Sequence, residues 1–263
     1  MNLVKAAMIG DVVGVLGLEV LEAKLPALIK ERQIDFVTVN GENAAEGFGM
    51  TEKDFRRIIA AGADAVTSGN HVWEKREFWP ILENEKNMLR PANYPKDTVG
   101  AGFVRIEKNG VTWIVINLQG REYMNAIDCP FQCFDLCFEK AQADAPDKPP
   151  VIVVDFHAES SREKEALAYF ADGRVSLIAG THTHVQTADE RVLPNGSAYI
   201  TDLGMTGITG SVIGMDPKIC FERVRKQIMY HMETAADNNT RQMNGVIAEI
   251  DADTGKAVSI QRI

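Results

Sequence analysis

The chain has 263 residues, 45 % hydrophobic and 25 % charged, and its 28 basic against 37 acidic side chains set the net charge at −9. That length buries a large core without help from disulfides or a structural metal, and no uncharged apolar run reaches the roughly 18 residues of a membrane span. The acidic balance excludes coating nucleic acid as the main task, which needs a positive field; it leaves nucleotide substrates open, because bound metal ions supply positive charge locally.

The first pattern is an apolar strand, Lys5–Ile9, running into Gly10-Asp11 and a mostly apolar stretch up to Val20. A secretory core carries no carboxylate at its centre, so Asp11 points to a cytoplasmic protein. A helix over Leu18–Glu31, a strand Asp35–Val39, a helix Glu52–Ala61 and a strand Ala65–Thr67 follow. Thr51 with Asp54 resembles a capping box, and Gly62 makes a natural stop. Strands Ala101–Ile106 and Thr112–Leu118 flank Asn109-Gly110, a strong hairpin signal. Next come a helix Phe131–Ala143, a strand Val151–Phe156, a helix Arg162–Ala171 and strands Val175–Ala179 and Ala198–Thr201. A helix Lys218–Met232 leads to a terminal hairpin, Gly245–Ile250 and Ala257–Ile263, around Asp253-Thr254-Gly255.

This alternation predicts an α/β fold of mixed sheets with helices outside them. Pro146 to Pro150 form a connector too short for a boundary, so residues 1–263 read as one domain. Cys129, Cys133 and Cys137 fall four apart near a helix start at Pro130 and would share one face. With Cys220 they read as buried, reduced thiols, since the spacing matches no zinc or iron–sulfur pattern.

Polar, metal-binding residue types recur directly after the strands: Asp11; Glu42-Asn43; Asn70-His71; His157; and His182-Thr183-His184. In α/β sheets the carboxyl ends of strands share an edge where loops converge on a ligand. Each pattern alone has a plain alternative. Asp11 fits a helix cap, Glu42-Asn43 a turn, Asn70-His71 a cap beside a satisfied histidine, and His157 a half-buried strand end. His182 and His184 would face one side of an extended chain. The fifth histidine, His231, falls on the last helix and reads as a surface residue.

The coincidence of five such strand ends carries more weight than any one. Seven metal-capable side chains, one a bridging carboxylate, suit two ions roughly 3.5–4 Å apart. Imidazole with carboxylate and amide oxygen favours iron, manganese or zinc over calcium or magnesium. Two cations sharing a water make hydroxide available near neutral pH for attack on phosphorus. His71, the spare histidine, is then placed to protonate the departing oxygen.

These residues resemble the calcineurin-like metallophosphoesterases, and within them the YmdB-like branch, through nearly the whole chain. The resemblance rests on Ile9-Gly10-Asp11-Val12-Val13-Gly14, Asn40-Gly41-Glu42-Asn43 and Ser68-Gly69-Asn70-His71-Val72-Trp73. It continues in Arg90-Pro91-Ala92-Asn93-Tyr94-Pro95, Asn117-Leu118-Gln119-Gly120-Arg121 and Asp155-Phe156-His157-Ala158-Glu159. The last blocks are Gly180-Thr181-His182-Thr183-His184-Val185-Gln186-Thr187 and Thr201-Asp202-Leu203-Gly204-Met205-Thr206-Gly207. The wider superfamily uses Asp-x-His and a bridging Asp, where this chain has Val13 and Glu42; the YmdB-like branch makes both changes and lets the following Asn replace the lost histidine.

By that resemblance Asp11, Glu42, Asn43 and His184 hold one metal, and Glu42, Asn70, His157 and His182 hold the other. It implies a four-layer α/β/β/α sandwich and hydrolysis of nucleoside cyclic phosphates, the 2′,3′ kind first. Asp155, Glu159 and Asp202 are candidates for orienting the ligands, with a solvated or capping role as the alternative. Arg90, Asn93 and Arg121 are candidate phosphate contacts, with surface salt bridging as the alternative for the arginines. Gly10, Gly14 and Gly17 lack the Lys-Ser/Thr of a P-loop and the Gly-x-Gly-x-x-Gly spacing, and are expected to let the backbone pass close to the metal site. Two rival readings remain: a metal amidohydrolase, which also uses His-x-His, and a regulatory protein that binds a nucleotide or RNA with little or no turnover. The oligomeric state is left open, a homo-oligomer included.

Overall fold

The structure, a computed structural model, describes residues 2–143 and 148–263; Pro146 and Asp147 of the connector lie outside the described residues. The first half comprises β1 (Leu3–Ile9), β2 (Asp11–Val12), α1 (Gly14–Arg32), β3 (Phe36–Asn40), α2 (Glu52–Ala60) and β4 (Ala65–Thr67). It continues with α3 (Trp79–Asn84), β5 (Phe103–Lys108), β6 (Val111–Gln119) and α4 (Pro130–Ala143). The second half has β7 (Val151–His157), α5 (Ser161–Ala171), β8 (Leu177–Thr181), β9 (Arg191–Val192), β10 (Ala198–Ile200) and β11 (Met205–Ile208). It ends with α6 (Pro217–Lys226), β12 (Arg241–Gln242), β13 (Gly245–Asp251) and β14 (Lys256–Arg262).

Two sheets stack face to face, ordered β14-β13-β1-β3-β4 and β5-β6-β7-β8-β10-β9, with a small third sheet β12-β11-β2 at one end. The two-residue period of each central strand explains the layering. In β7, Val151 and Val153 join a core between the sheets that also contains Met8, Phe36, Trp113, Leu177 and Val246. Its alternate residues Ile152, Val154 and Phe156 pack outward among Phe134 of α4 and Leu167 of α5. On the other sheet Ala7, Val37 and Val39 face outward onto Leu18 and Leu21 of α1 and Phe55 of α2. Both faces of both sheets are therefore covered, giving the four-layer α/β/β/α order that the resemblance implies. Phe36 and Trp113 stack across the layer with ring centroids 4.6 Å apart. No helix among the described residues is long and apolar enough to cross a membrane.

The capping box at Thr51 is present, Asp54 and Thr51 each accepting the other's backbone N–H. Asn109 and Gly110 take φ of 54° and 75°, as the β5–β6 turn requires. Other expectations need correction. Helix α1 begins at Gly14, a turn earlier than predicted. Gly10 and Gly17 let the backbone approach the segment that enters β11 rather than the metal site, because a Cβ at Gly10 would lie 1.9 Å from Gly204 O and one at Gly17 2.5 Å from Thr206 O. Helix α6 stops at Lys226, where Gln227 turns left-handed at φ 57°, so His231 lies beyond the helix, though exposed as expected. Helix α3 and strands β2, β9, β11 and β12 were not foreseen; α3 is six residues long with a proline in its first turn, and none of these strands exceeds four residues. Only Cys220 is buried; Cys129, Cys133 and Cys137 are half-buried, and all four are free thiols.

Candidate metal centre

At one edge of the stacked sheets the inward-facing positions turn from aliphatic to polar. Phe36 in β3 leads through Thr38 to Asn40, and Val151 and Val153 in β7 lead to Asp155 and His157. Ala65 gives way to Thr67 in β4, and Leu177 and Ala179 to Thr181 in β8. Asp155 ties the two sheets together there, accepting from Asn40 Nδ2 at 3.0 Å, Thr67 Oγ1 at 2.5 Å and Thr181 Oγ1 at 2.7 Å. Burial pushes the Asp155 carboxyl up, against the pull of these donors.

The loops leaving this edge carry the candidate ligands, and the structure brings the set together. His157 is fully buried, with Nε2 lying 2.9 Å from Glu42 Oε1, 3.1 Å from Asn70 Oδ1 and 3.0 Å from His182 Nδ1. Its Nδ1 lies 2.9 Å from Thr181 Oγ1. Because that hydroxyl donates to Asp155, it accepts here, which puts a proton on Nδ1 and turns Nε2 inward. Asp155 thus orients the imidazole through Thr181 rather than directly. Glu159 Oε2 sits 3.1 Å from His182 Nε2 and orients that ring, leaving Nδ1 for the centre. His184 donates from Nδ1 to the carbonyl of Ile213 at 2.8 Å, so its Nε2 is free, 3.8 Å from Asp11 Oδ1.

The His-x-His segment is not extended. His182 and His184 take φ of 96° and 64°, a left-handed backbone that non-glycine residues hold only under constraint. Asp202 supplies the constraint: its Oδ2 accepts the Thr183 N–H at 3.2 Å and hydroxyl at 2.7 Å, and pairs with Lys164 Nζ at 2.7 Å. Asp202 therefore holds the loop between the histidines without touching either ring. Asp11 sits on β2, bound in parallel to β11, rather than at the end of β1. Asn43 is anchored by its Nδ2, which donates to Gly47 O at 2.7 Å. Gly69 is obligatory for close approach, since a Cβ there would stand 2.2 Å from His157 Nε2 and 2.3 Å from Glu42 Oε2.

Two buried oxygens in this cluster, Asp11 Oδ1 and Asn43 Oδ1, have no hydrogen-bond partner, and Glu42 Oε1 has His157 Nε2 as its neighbour at 2.9 Å. Orphaned buried acceptors are destabilising, and their convergence with lone pairs of imidazoles is the donor set a cation relieves. One ligand atom each from Glu42, His157 and His182 lie within 4.8 Å of one another, close enough to converge on a shared ion after a small adjustment. Burial alone would raise the Glu42 carboxyl, but His157 beside it holds it well below its usual range. Burial alone would lower His157, yet the carboxylates of Glu42, Asp11 and Asp155 raise it to about 9. His182 is pushed down to about 3 by burial and by the His157 charge. Burial raises Asp11 to about 6.

A cavity of about 460 Å³ opens over Glu42, Asn43, His182 and His184, with His71 and Phe48 on its wall. The His71 backbone N–H donates to Glu42 Oε2 at 3.3 Å, and its Nδ1 lies 3.4 Å from Glu74 Oε1. Arg90, Asn93 and Arg121 do not line this cavity. Arg90 is buried and donates to the carbonyls of Pro91, Ala92 and Thr98. Asn93 links Gln119 and Asp128 through main-chain groups, and Arg121 lines a separate surface cavity while donating to Cys129 Sγ at 3.4 Å. Sequence reasoning missed Thr181 and Thr67, whose hydroxyls carry the orientation network, and the apolar wall of Val212, Ile213 and Met215. The one signal for that wall is an apolar pair, Val212-Ile213, inside a glycine-flanked loop where no strand fits.

A protein of Bacillus subtilis (strain 168) named 2′,3′-cyclic-nucleotide 2′-phosphodiesterase is 44 % identical over 255 residues, covering 97 % of this chain and 94 % of that one. The crystal structure of a phosphatase from Mycoplasma pneumoniae superposes with a TM-score of 0.91 at 34 % identity, covering 100 % of this chain and 93 % of the other. A crystal structure of a hypothetical protein from Thermus thermophilus gives 0.88 at 36 % identity, with 98 % of each chain covered. The model of the YmdB-like proteins matches residues 7–263, and the chain belongs to that family.

Proposed function

We propose that this protein is a metal-dependent phosphodiesterase that opens nucleoside 2′,3′-cyclic phosphates. The observation that carries the reading is the convergence of the orphaned oxygens of Asp11 and Asn43 with Glu42 and the ring nitrogens of His157, His182 and His184, of which Glu42, Asn43, His182 and His184 line the 460 Å³ cavity. Asp11, Glu42, Asn43 and His184 would hold one divalent ion, and Glu42, Asn70, His157 and His182 the other. The mixed imidazole, carboxylate and amide donors favour iron or manganese, with zinc next. When bound, the two ions supply a Lewis acid for the phosphoryl oxygens and a route to hydroxide near neutral pH. The stacked-sheet architecture is not the barrel of an amidohydrolase, which removes that rival. Four free cysteines fit a reducing compartment such as the cytoplasm.

The chain's own residues do the rest. Asp155 through Thr181, and Glu159 directly, hold His157 and His182 with one nitrogen each toward the centre. His71 stands on the cavity wall, its ring edge-on to Phe48 and its side chain 24 % exposed, where it can protonate the ester oxygen that leaves. The name of the Bacillus relative supports cleavage at the 2′ oxygen.

The test is hydrolysis of 2′,3′-cyclic AMP by protein stripped of metal and reloaded with manganese or iron, with metal content measured alongside. Restored turnover is expected, and no cleavage with two ions bound overturns the reading. His71→Ala is expected to keep both ions yet slow substrates with poor leaving groups by about 10²–10⁴-fold, while bis-p-nitrophenyl phosphate, whose leaving group needs no proton, changes far less. Equal losses on both substrates would remove the acid role.

A further inference from the structure

A second cavity, about 430 Å³, adjoins the one over the candidate centre. The two share Phe48, His71, Arg223 and Met232, so they meet at His71. Each volume falls in the roughly 300–1,000 Å³ range of a small-ligand site, and one nucleoside fills only one of them. Their walls differ. The first is aliphatic, with Val212, Ile213 and Met215; the second is polar, lined by Glu46, Glu74, Lys75 and His231, with Tyr230 among its wall residues.

Both are walled by α6 and the segment after it. On a chain of net charge −9, α6 carries four basic residues against the single Glu222. Arg225 and Lys226 both pair with Glu222, and Lys75 pairs with Glu46 at 3.3 Å. Arg223, at the junction, has no carboxylate partner among the described residues; its guanidinium donates to Met229 Sδ at 3.4 Å, a weak acceptor. A guanidinium fork short of acceptors, set between two nucleoside-sized spaces, matches the phosphodiester that joins two nucleosides.

We infer that the preferred substrate is the 2′,3′-cyclic phosphate end of an oligoribonucleotide rather than a free mononucleotide. This rests on the phosphodiesterase reading above. The terminal nucleoside occupies the apolar cavity with its cyclic phosphate at the centre. The preceding nucleoside occupies the polar cavity with its base against Tyr230, as single-stranded bases stack on aromatic rings. Arg223 binds the diester between them. In the reaction water adds to phosphorus, the P–O2′ bond breaks, O2′ takes up a proton and a 3′-phosphomonoester remains; the internal diester is untouched.

The experiment compares kcat/KM for 2′,3′-cyclic AMP and for the dinucleotide ApA ending in a 2′,3′-cyclic phosphate, using manganese-loaded wild type, Arg223→Ala, Tyr230→Ala and Lys75→Ala. Calorimetry with 3′-AMP and 3′-phosphorylated ApA follows the same preference without turnover. Wild type is expected to favour the dinucleotide about tenfold or more in both readouts, since one stacked base contributes roughly 1–3 kcal/mol. Arg223→Ala and Tyr230→Ala should bring both ratios close to one. Three single variants at half-buried positions guard against one failing to fold. If the mononucleotide is cleaved and the ratios are near one in wild type, the extended site is overturned and the phosphodiesterase reading stands. A preference that survives Arg223→Ala and Tyr230→Ala also overturns it. If neither compound is cleaved with metal bound, both readings fall together.

Discussion

At the scale of single residues, His157 concentrates the electrostatics of the site. Metal-free, its folded-state pKa of about 9 lies above the ordinary 6.5, because the carboxylates of Glu42, Asp11 and Asp155 outweigh burial. At pH 7 the ring is therefore an imidazolium. Thr181 already receives the Nδ1 proton, so the second proton lies on Nε2, toward Glu42 and Asn70. A metal ligand must offer Nε2 unprotonated. Binding at pH 7 should therefore release about one proton from His157, a release that disappears as pH rises through 9. Calorimetry of manganese binding in two buffers of different ionisation enthalpy counts it, and no release at pH 7 would contradict this protonation. The side chains that converge here were legible from residue type at strand ends. The surroundings of Arg90 and Asn93 were not legible, because residue type does not reveal a partner: both donate to main-chain carbonyls that the fold brings within reach, and neither lines the cavity.

At the scale of elements, the site exists because one face of four strands changes character toward the carboxyl end. The two-residue period of β3, β4, β7 and β8 is readable in the sequence, and so is the change from Val and Ala to Asn, Thr, Asp and His. The conformation of the His-x-His loop was not readable. An extended chain puts both rings on one side by periodicity, whereas the structure does so with positive φ at each histidine, held by Asp202. Asp202 in turn is neutralised by Lys164 of α5, each side chain about 1 % exposed. Lys164→Met would leave that carboxylate charged and unpaired in the interior, a change that costs about 3–5 kcal/mol. Urea unfolding of the metal-free protein should show a loss of that order. A loss below about 1 kcal/mol would mean that the pair contributes no more than a surface bridge.

At the scale of the whole molecule, we propose from the connectivity that the described residues fold as one cooperative unit. β1, near the start of the chain, lies between β13, near its end, and β3, so the first sheet cannot form until both ends are in place. The core between the sheets draws Met8 and Phe36 from the first part, Trp113 and Val153 from the middle and Val246 from the last. Cutting the chain between β4 and β5 would part β1, β3 and β4 both from the second sheet and from β13 and β14. Asp155 adds polar links across the same layer, to Asn40 and Thr67 of the opposite sheet. This closure through the termini was only partly legible, because strand order depends on pairing partners far apart in sequence. The prediction is that tryptophan fluorescence and far-ultraviolet circular dichroism report coincident denaturant transitions in the metal-free protein. Trp113 is stacked between the sheets, while Trp73 and Trp79 pack against each other beside the outer helices, so fluorescence samples two layers at once. Metal should shift the single transition as a whole, by about 2.7 kcal/mol when free metal stands at a hundred times its Kd. Two resolved transitions, with metal moving only one of them, would instead divide the chain into two units and place the candidate centre in one of them alone.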